Sequence, residues 1–270
     1  MTIISKITKN QSAPVFLFVC FLTFSCFMFA AGEDSLYNQI LHKYVDQNGL
    51  VDYKNLKNDE RLDEYINYLS GIKPDSLNSR DSKLAFWINV YNTFTLKLIC
   101  ESYPVESIKD LNWTGTGLDY LVGKTAWDKK FINIDNKIFT LNQIEHDIIR
   151  KEFRDPRIHF ALVCAALSCP NLRNEVYTPD KLNNQLDNQA IKFLNNSKKN
   201  KFDLDSKTAY LSKIFDWYGG DFGEPDDKIL TFISKYLRKE IADSILDNIS
   251  QWKIEFLDYN WKLNEQGNSL

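Results

Sequence analysis

The sequence predicts an α+β fold with a helical N-terminal part. Three observations predict it. Helical periodicity prevails from Ser35 to Tyr103, paired short β segments around turn residues begin only near Phe131, and further helical segments alternate with those hairpins afterwards. No repeat, low-complexity tract or Pro/Gly-rich linker interrupts residues 33–270, which read as one globular domain.

The first 32 residues are different. Lys6 and Lys9 precede an apolar run, Val15 to Ala31, broken by Thr23 and Ser25, and Ala30, Ala31 and Gly32 form a small-residue zone. This is the pattern of a signal peptide over residues 1–32, and the run is short of the about 20 apolar residues that a spanning helix needs. The expected destination is the periplasm or the exterior, with no stable membrane span after cleavage. Loss of Lys6 and Lys9 leaves 31 basic against 36 acidic residues, a formal charge of −5 in place of −3. Mild acidity without a basic cluster argues against a nucleic-acid partner.

The elements follow in order. Ser35–Val45 carries Leu36, Ile40, Leu41 and Tyr44 on one stripe, as a helix does. Asp46–Gly49 is a turn, followed by a short extended segment at Leu50–Tyr53. Glu60–Ile72 is an amphipathic helix. Asp81–Tyr103 is apolar on two stripes, Leu84, Trp87, Ile88, Tyr91, Thr95 and Leu98 on one, Phe86, Val90 and Phe94 on the other. A helix apolar nearly all round is buried, and Pro104 stops it. Asp135-Asn136 joins two strands in a hairpin, and Leu141–Phe153 returns to helix. Arg157–Cys164 reads as a buried strand, which sets His159, Ala161 and Val163 on one face and Phe160, Leu162 and Cys164 on the other. Thr178-Pro179 opens a helix reaching about Asn195. A second hairpin covers Lys201–Leu204 and Thr208–Leu211, a helix broken near Glu240 covers Asp226–Leu246, and Trp252–Tyr259 is a last strand.

Few residues could carry chemistry. Of the three histidines, His42 lies on the polar side of a surface helix, which leaves His146 and His159. An imidazole in an apolar strand is either a core histidine bonded to a carbonyl or a general base at a cleft edge. Cys20 and Cys26 leave with the signal, so Cys100, Cys164 and Cys169 remain, an odd number in an oxidising compartment. Cys169 before Pro170 could cap a short helical turn, whose N–H groups would favour a thiolate. Cys164 and Cys169 could instead form a disulfide. Zinc on His159, Cys164 and Cys169 is disfavoured, because the spacing is not C-x-x-C and the strand faces oppose. Glu145 beside His146 on a helix could orient an imidazole or form a surface ion pair. Asn89 and Asn92, three apart on the buried helix, could hold a ligand or tie the helix to nearby backbone.

Six stretches then carry a family resemblance: Phe86–Phe94, Asn142–Arg150, Asp155–Cys164, Ser168–Leu172, Leu211–Tyr218 and Tyr259–Asn264. In order and across nearly all of residues 33–270, they resemble the family catalogued as domain of unknown function 547. That resemblance implies a papain-like/transglutaminase-like fold, with the helix at 81–103 as a long central helix packed on an antiparallel sheet. It places the Asn89–Asn92 region where such enzymes keep their cysteine, so Cys169 would serve from elsewhere, and it makes Asn260 a candidate third member. It also implies binding of glutathione or similar thiols.

The expected function is a cysteine-dependent hydrolase or acyl transferase for a peptide-like or thiol-containing small substrate. Cys169 attacks the carbonyl, His159 takes and returns the proton, and Glu145 orients the imidazole. Asn89, Asn92, Ser168, Cys164, His146 and Asn260 are the expected substrate contacts, and no metal or cofactor is called for. The alternative is a non-catalytic exported binding module for glutathione-like thiol peptides, with Cys164 and Cys169 bridged.

Overall fold

A computed structural model describes residues 34–111 and 124–270, so the expected signal segment, 1–32, lies outside the described residues. Helix α1 covers 34–44 and packs Tyr37 on Tyr65 of α3 (Arg61–Gly71) with ring centroids 4.2 Å apart. Between them lie a turn closed by Gly49 and the short helix α2 (Tyr53–Leu56). Gly49 has φ +74°, and a Cβ there would sit 2.6 Å from Leu172 N, so this turn needs its glycine. Val51, expected in a short strand, forms only isolated bridges to Val45 and Glu265.

Helix α4 (Arg80–Ser102) is the central element. Ser79 caps it by accepting from Ser82 N–H at 3.0 Å, and every residue from Leu84 to Leu96 is buried. It packs against α2, α3 and α5 (Gln143–Phe153), a π-type helix. Thr140 and Gln143 start α5 as a reciprocal capping box, both bonds 3.0 Å, and Arg154 ends it in the left-handed region at φ 48°.

The architecture is mixed α and β with small sheets. Strands β1 (Ile132–Ile134) and β2 (Lys137–Phe139) form the expected hairpin, with Asp135 and Asn136 both at positive φ. Its Phe139 meets Trp87 of α4 edge to face. After α6 (Leu182–Leu194) come β3 (Lys201–Asp203) and β4 (Thr208–Leu211), which pair antiparallel. Short helices α7 (Ile214–Trp217) and α8 (Gly219–Phe222) follow, then α9 (Asp226–Ser234) and α10 (Lys239–Asp247). Strand β5 (Lys253–Phe256) joins β4 in parallel. The central helix therefore packs on helices and one hairpin, not on a broad antiparallel sheet. The three-stranded sheet belongs elsewhere, with Ala209 and Leu211 in a second hydrophobic cluster built on α6, α7 and α9.

The expected strand at Arg157–Cys164 is absent. Asp155 accepts from Arg157 N–H at 3.0 Å and Pro156 takes the first helical position, so Pro156–Phe160 forms a 3-10 turn and the chain runs on irregularly. This turn joins the two clusters, because Ile158 packs in the first and Phe160 in the second. Helix α6 starts at Leu182, beyond the expected Thr178-Pro179. No helix among the described residues is long and apolar enough to cross a membrane.

Candidate functional site

Buried irregular backbone must find hydrogen-bond partners outside a helix or sheet. Side-chain amides supply them here. Asn92 Nδ2 donates to Ala161 O at 2.9 Å while its Oδ1 accepts from Val163 N–H at 3.0 Å. Asn89 does the same for both backbone groups of Tyr177, at 2.8 and 3.0 Å. Gln189 donates to Phe160 O and Asn171 O, and Gln185 serves Val176 and Thr178. Asn89 and Asn92 thus spend their amides on backbone and do not line the cavity described below. The chain from Asn260 to Asn264 runs beside the same segment, pairing Ala166 with Leu263 and exchanging bonds at Ser168. Ser168 Oγ accepts from Asn260 N–H at 2.8 Å, and Asn260 is exposed, so these two expected site residues tie strands of backbone together.

The thiols lie within this scaffold. Ala165 takes φ +59°, unusual for a residue with a Cβ, and the turn closes with Cys169 N–H on Ala166 O at 3.1 Å. Cys169 ends this turn and caps no helix, contrary to expectation. The turn brings the two sulfurs together as free thiols. Cys164 N–H donates to Cys169 Sγ at 2.9 Å, Cys164 S–H does so at 3.0 Å, and Tyr259 Oη lies 3.3 Å from Cys164 Sγ.

Burial pushes the Cys169 thiol up, but the Cys164 S–H and N–H, the Lys199 ammonium and Tyr259 outweigh it and hold it below the ordinary value. Its neighbour's hydrogen bond and burial push Cys164 well up. One proton held between two sulfurs is the physical content of that split. Lys199 is itself buried, and burial brings its ammonium down to about 8. It bonds Cys169 O, and donates to Asn171 Oδ1 at 2.6 Å.

His159 is buried, and its Nε2–H donates to Asp221 Oδ2 at 2.7 Å. Asp221 sits on α8 and also takes a two-pronged contact from Arg150, at 2.6 and 2.9 Å. The His159 hydrogen bond, then Arg150, hold the Asp221 carboxyl well below the usual range against partial burial. Tyr218 stacks on the imidazole with centroids 4.1 Å apart. Among the described residues the other ring nitrogen, Nδ1, has no hydrogen-bond partner, and His159 is part of the lining of a cavity.

Glu145 is not the partner of His159. It accepts from Tyr91 Oη at 3.0 Å, and its carboxylate, after burial, pushes the Tyr218 hydroxyl up. Glu145 therefore lies beside the tyrosine that stacks on the imidazole, one step removed from it. His146 turns away and accepts from Arg150 Nη1 at 2.9 Å, outside the cavity lining.

The cavity, about 240 Å³, brings Cys164, Cys169, His159 and Glu145 together, with Tyr91 and Tyr218 between them. Its rim is aromatic, Trp217, Tyr259 and Trp261 lying 4.6 to 5.7 Å apart by ring centroids. No hydrogen bond joins the imidazole to either thiol. Asp221, Lys199, Tyr218 and Tyr259 were not in the sequence-derived set, although Tyr218 and Tyr259 lie in stretches that carry the resemblance. Among the described residues, no group of three or more His, Cys, Asp or Glu could hold a metal ion.

No curated protein and no solved structure matches the chain. A family model does, over residues 74–194, a stretch that holds the central helix, the capping box, His159 and both thiols. Residues 74–194 match the family described as protein of unknown function, DUF547.

Proposed function

We propose that the protein is a cysteine-dependent hydrolase or acyl transferase for a peptide-like or thiol-containing small substrate. One observation carries this reading: His159, held from behind by Asp221, and both thiols line the same cavity. Cys169 attacks the carbonyl. His159, oriented through Nε2 by Asp221 in the place first given to Glu145, moves the proton through Nδ1. The acyl–Sγ bond forms as the bond to the leaving amine, alkoxide or thiolate breaks, and that group takes the proton. The acyl group then passes to water or to an acceptor thiol, which returns a proton to the imidazole. A papain-like/transglutaminase-like arrangement around α4 and export directed by residues 1–32 belong to the same reading.

The gap between imidazole and thiol favours a second reading, a non-catalytic exported module that binds glutathione-like thiol peptides. Intact-mass analysis after exposure to p-nitrophenyl esters and acyl thioesters decides between them. The enzyme reading expects an acyl adduct on Cys169, absent in Cys169→Ala and long-lived in His159→Gln. An adduct that forms and decays equally in wild type and His159→Gln, or no adduct at all, removes the catalytic reading.

A further inference from the structure

We infer that Cys164 and Cys169 act as a dithiol that reduces small-molecule disulfides by thiol–disulfide exchange. This goes beyond acyl transfer and does not depend on it. Two sulfurs five residues apart stand 3.0 Å from one another in one cavity wall. A disulfide bond is about 2.05 Å long, so its formation needs closure of only about 1 Å. The Cys164 N–H on Cys169 Sγ favours a thiolate there, and the buried Lys199 ammonium, bonded to Cys169 O, adds positive charge behind the turn.

Cys100 supplies the contrast within the same chain. It is buried on α4, lies outside the cavity lining, and burial pushes its thiol up to about 12. Cys169 is as buried as Cys100, but among the described cysteines it and Cys164 alone line the cavity, and Cys169 alone takes hydrogen bonds from a neighbouring N–H and S–H.

The exchange balances in two steps. The Cys169 thiolate attacks one sulfur of R–S–S–R, a Cys169–S–S–R bond forms, and RS⁻ leaves to take a proton. Cys164 then loses its proton to solvent or to His159 Nδ1 and attacks the Cys169 sulfur. The Cys164–Cys169 bond forms and a second RSH departs. Two electrons pass from the protein to the substrate disulfide, and two equivalents of a small thiol return the protein to the dithiol by the reverse exchange. The aromatic rim suits a small organic disulfide better than a highly charged one.

The test uses the full chain with Cys20→Ser and Cys26→Ser as the background, called wild type below, reduced and then freed of reductant, with 2-hydroxyethyl disulfide as the probe at pH 7. Samples are quenched in acid, alkylated and weighed intact. Wild type is expected to lose two alkylatable thiols, keep no adduct, release two equivalents of mercaptoethanol and yield a Cys164–Cys169 cross-linked peptide. Cys164→Ser should stop at a mercaptoethanol adduct on Cys169. Both reactions should run at least about tenfold faster than reaction of the same chain unfolded in urea, with Cys100 inert until unfolding. Retention of both thiols, a stable single adduct on wild type, or a rate matching the unfolded chain overturns the inference. Should Cys164→Ser fail to fold, the wild-type choice between cross-link and adduct decides alone. None of these readouts involves acyl adducts, so failure here leaves the acyl-transfer reading to its own test.

Discussion

Asn92→Leu is expected to destabilise the protein by about 3 kcal/mol. Asn92 is 4 % exposed, and its amide is the partner of Ala161 O and Val163 N–H at 2.9 and 3.0 Å. Leucine has the same branched shape and is somewhat larger, so the change opens no cavity and acts first by removing the polar contacts. It leaves one carbonyl and one N–H buried without partners, each costing about 1–3 kcal/mol. For a chain of this size 1 kcal/mol moves Tm by roughly 2–4 °C, so a fall of roughly 6–12 °C follows. Urea unfolding followed by tryptophan fluorescence should show a lower midpoint with an unchanged slope. Val163 precedes Cys164, so the variant's folded state should also alkylate faster at the paired thiols. A loss of less than about 1 kcal/mol would refute the claim that this amide holds the segment, and would return Asn92 to the pool of ligand contacts.

Three further outcomes follow from the site and its supports. Lys199→Met removes a cation that helps hold Cys169 below its ordinary value, so alkylation of Cys169 at pH 7 should slow several-fold while the high-pH plateau stays; an unshifted pH profile would contradict this. The Asp221 carboxyl is held low in the folded state, so its contribution is present above the unfolded value near 3.8 and is lost as pH falls below it. Asp221→Asn should therefore be less stable than wild type at pH 7, with the gap narrowing towards pH 2.5 in urea titrations. Arg154 is exposed at φ 48°, a conformation that costs a residue with a Cβ about 1–2 kcal/mol, against about 0.5–1 kcal/mol of extra unfolded-chain entropy for glycine. Arg154→Gly should gain about 0.5–1 kcal/mol, read as a Tm rise of roughly 1–4 °C.

The regular elements were legible because each rests on local rules. Apolar residues all round α4 announced its burial, and Asp135-Asn136 announced a turn that both residues enter at positive φ. The break between α9 and α10 falls at Lys235–Arg238, a few residues before the expected Glu240. The segment from Arg157 failed because a short apolar run fits a strand or a buried helical turn equally. Asp155-Pro156, a cap and a first-position proline, was the signal that favours the turn.

Asp221 is 62 residues from His159 and lies in a Gly-rich stretch without periodicity. The matching stretch Leu211–Tyr218 ends three residues short of it. Lys199 looks like one of several surface lysines until the fold buries it. Asn89 and Asn92 stood out correctly as buried amides, and only the tertiary path of residues 161–178 assigns their partners.

The back wall of the thiol turn has a consequence for how the protein matures. Leu167 and Asn264 exchange backbone bonds with the neighbouring strand of chain, Val51 N–H donates to Asn264 O, and Tyr53 Oη donates to the Asn264 amide. Asp221, Tyr259 and Asn264 all lie beyond the stretch 74–194 that defines the family match. A nascent chain released at residue 250 would carry both sulfurs and the imidazole yet lack the scaffold that aligns them. The thiol turn is thus backed only once residues 260–264 have docked beside Val51 and Tyr53, and limited proteolysis near Asn260 should expose both thiols to alkylation without melting the central helix.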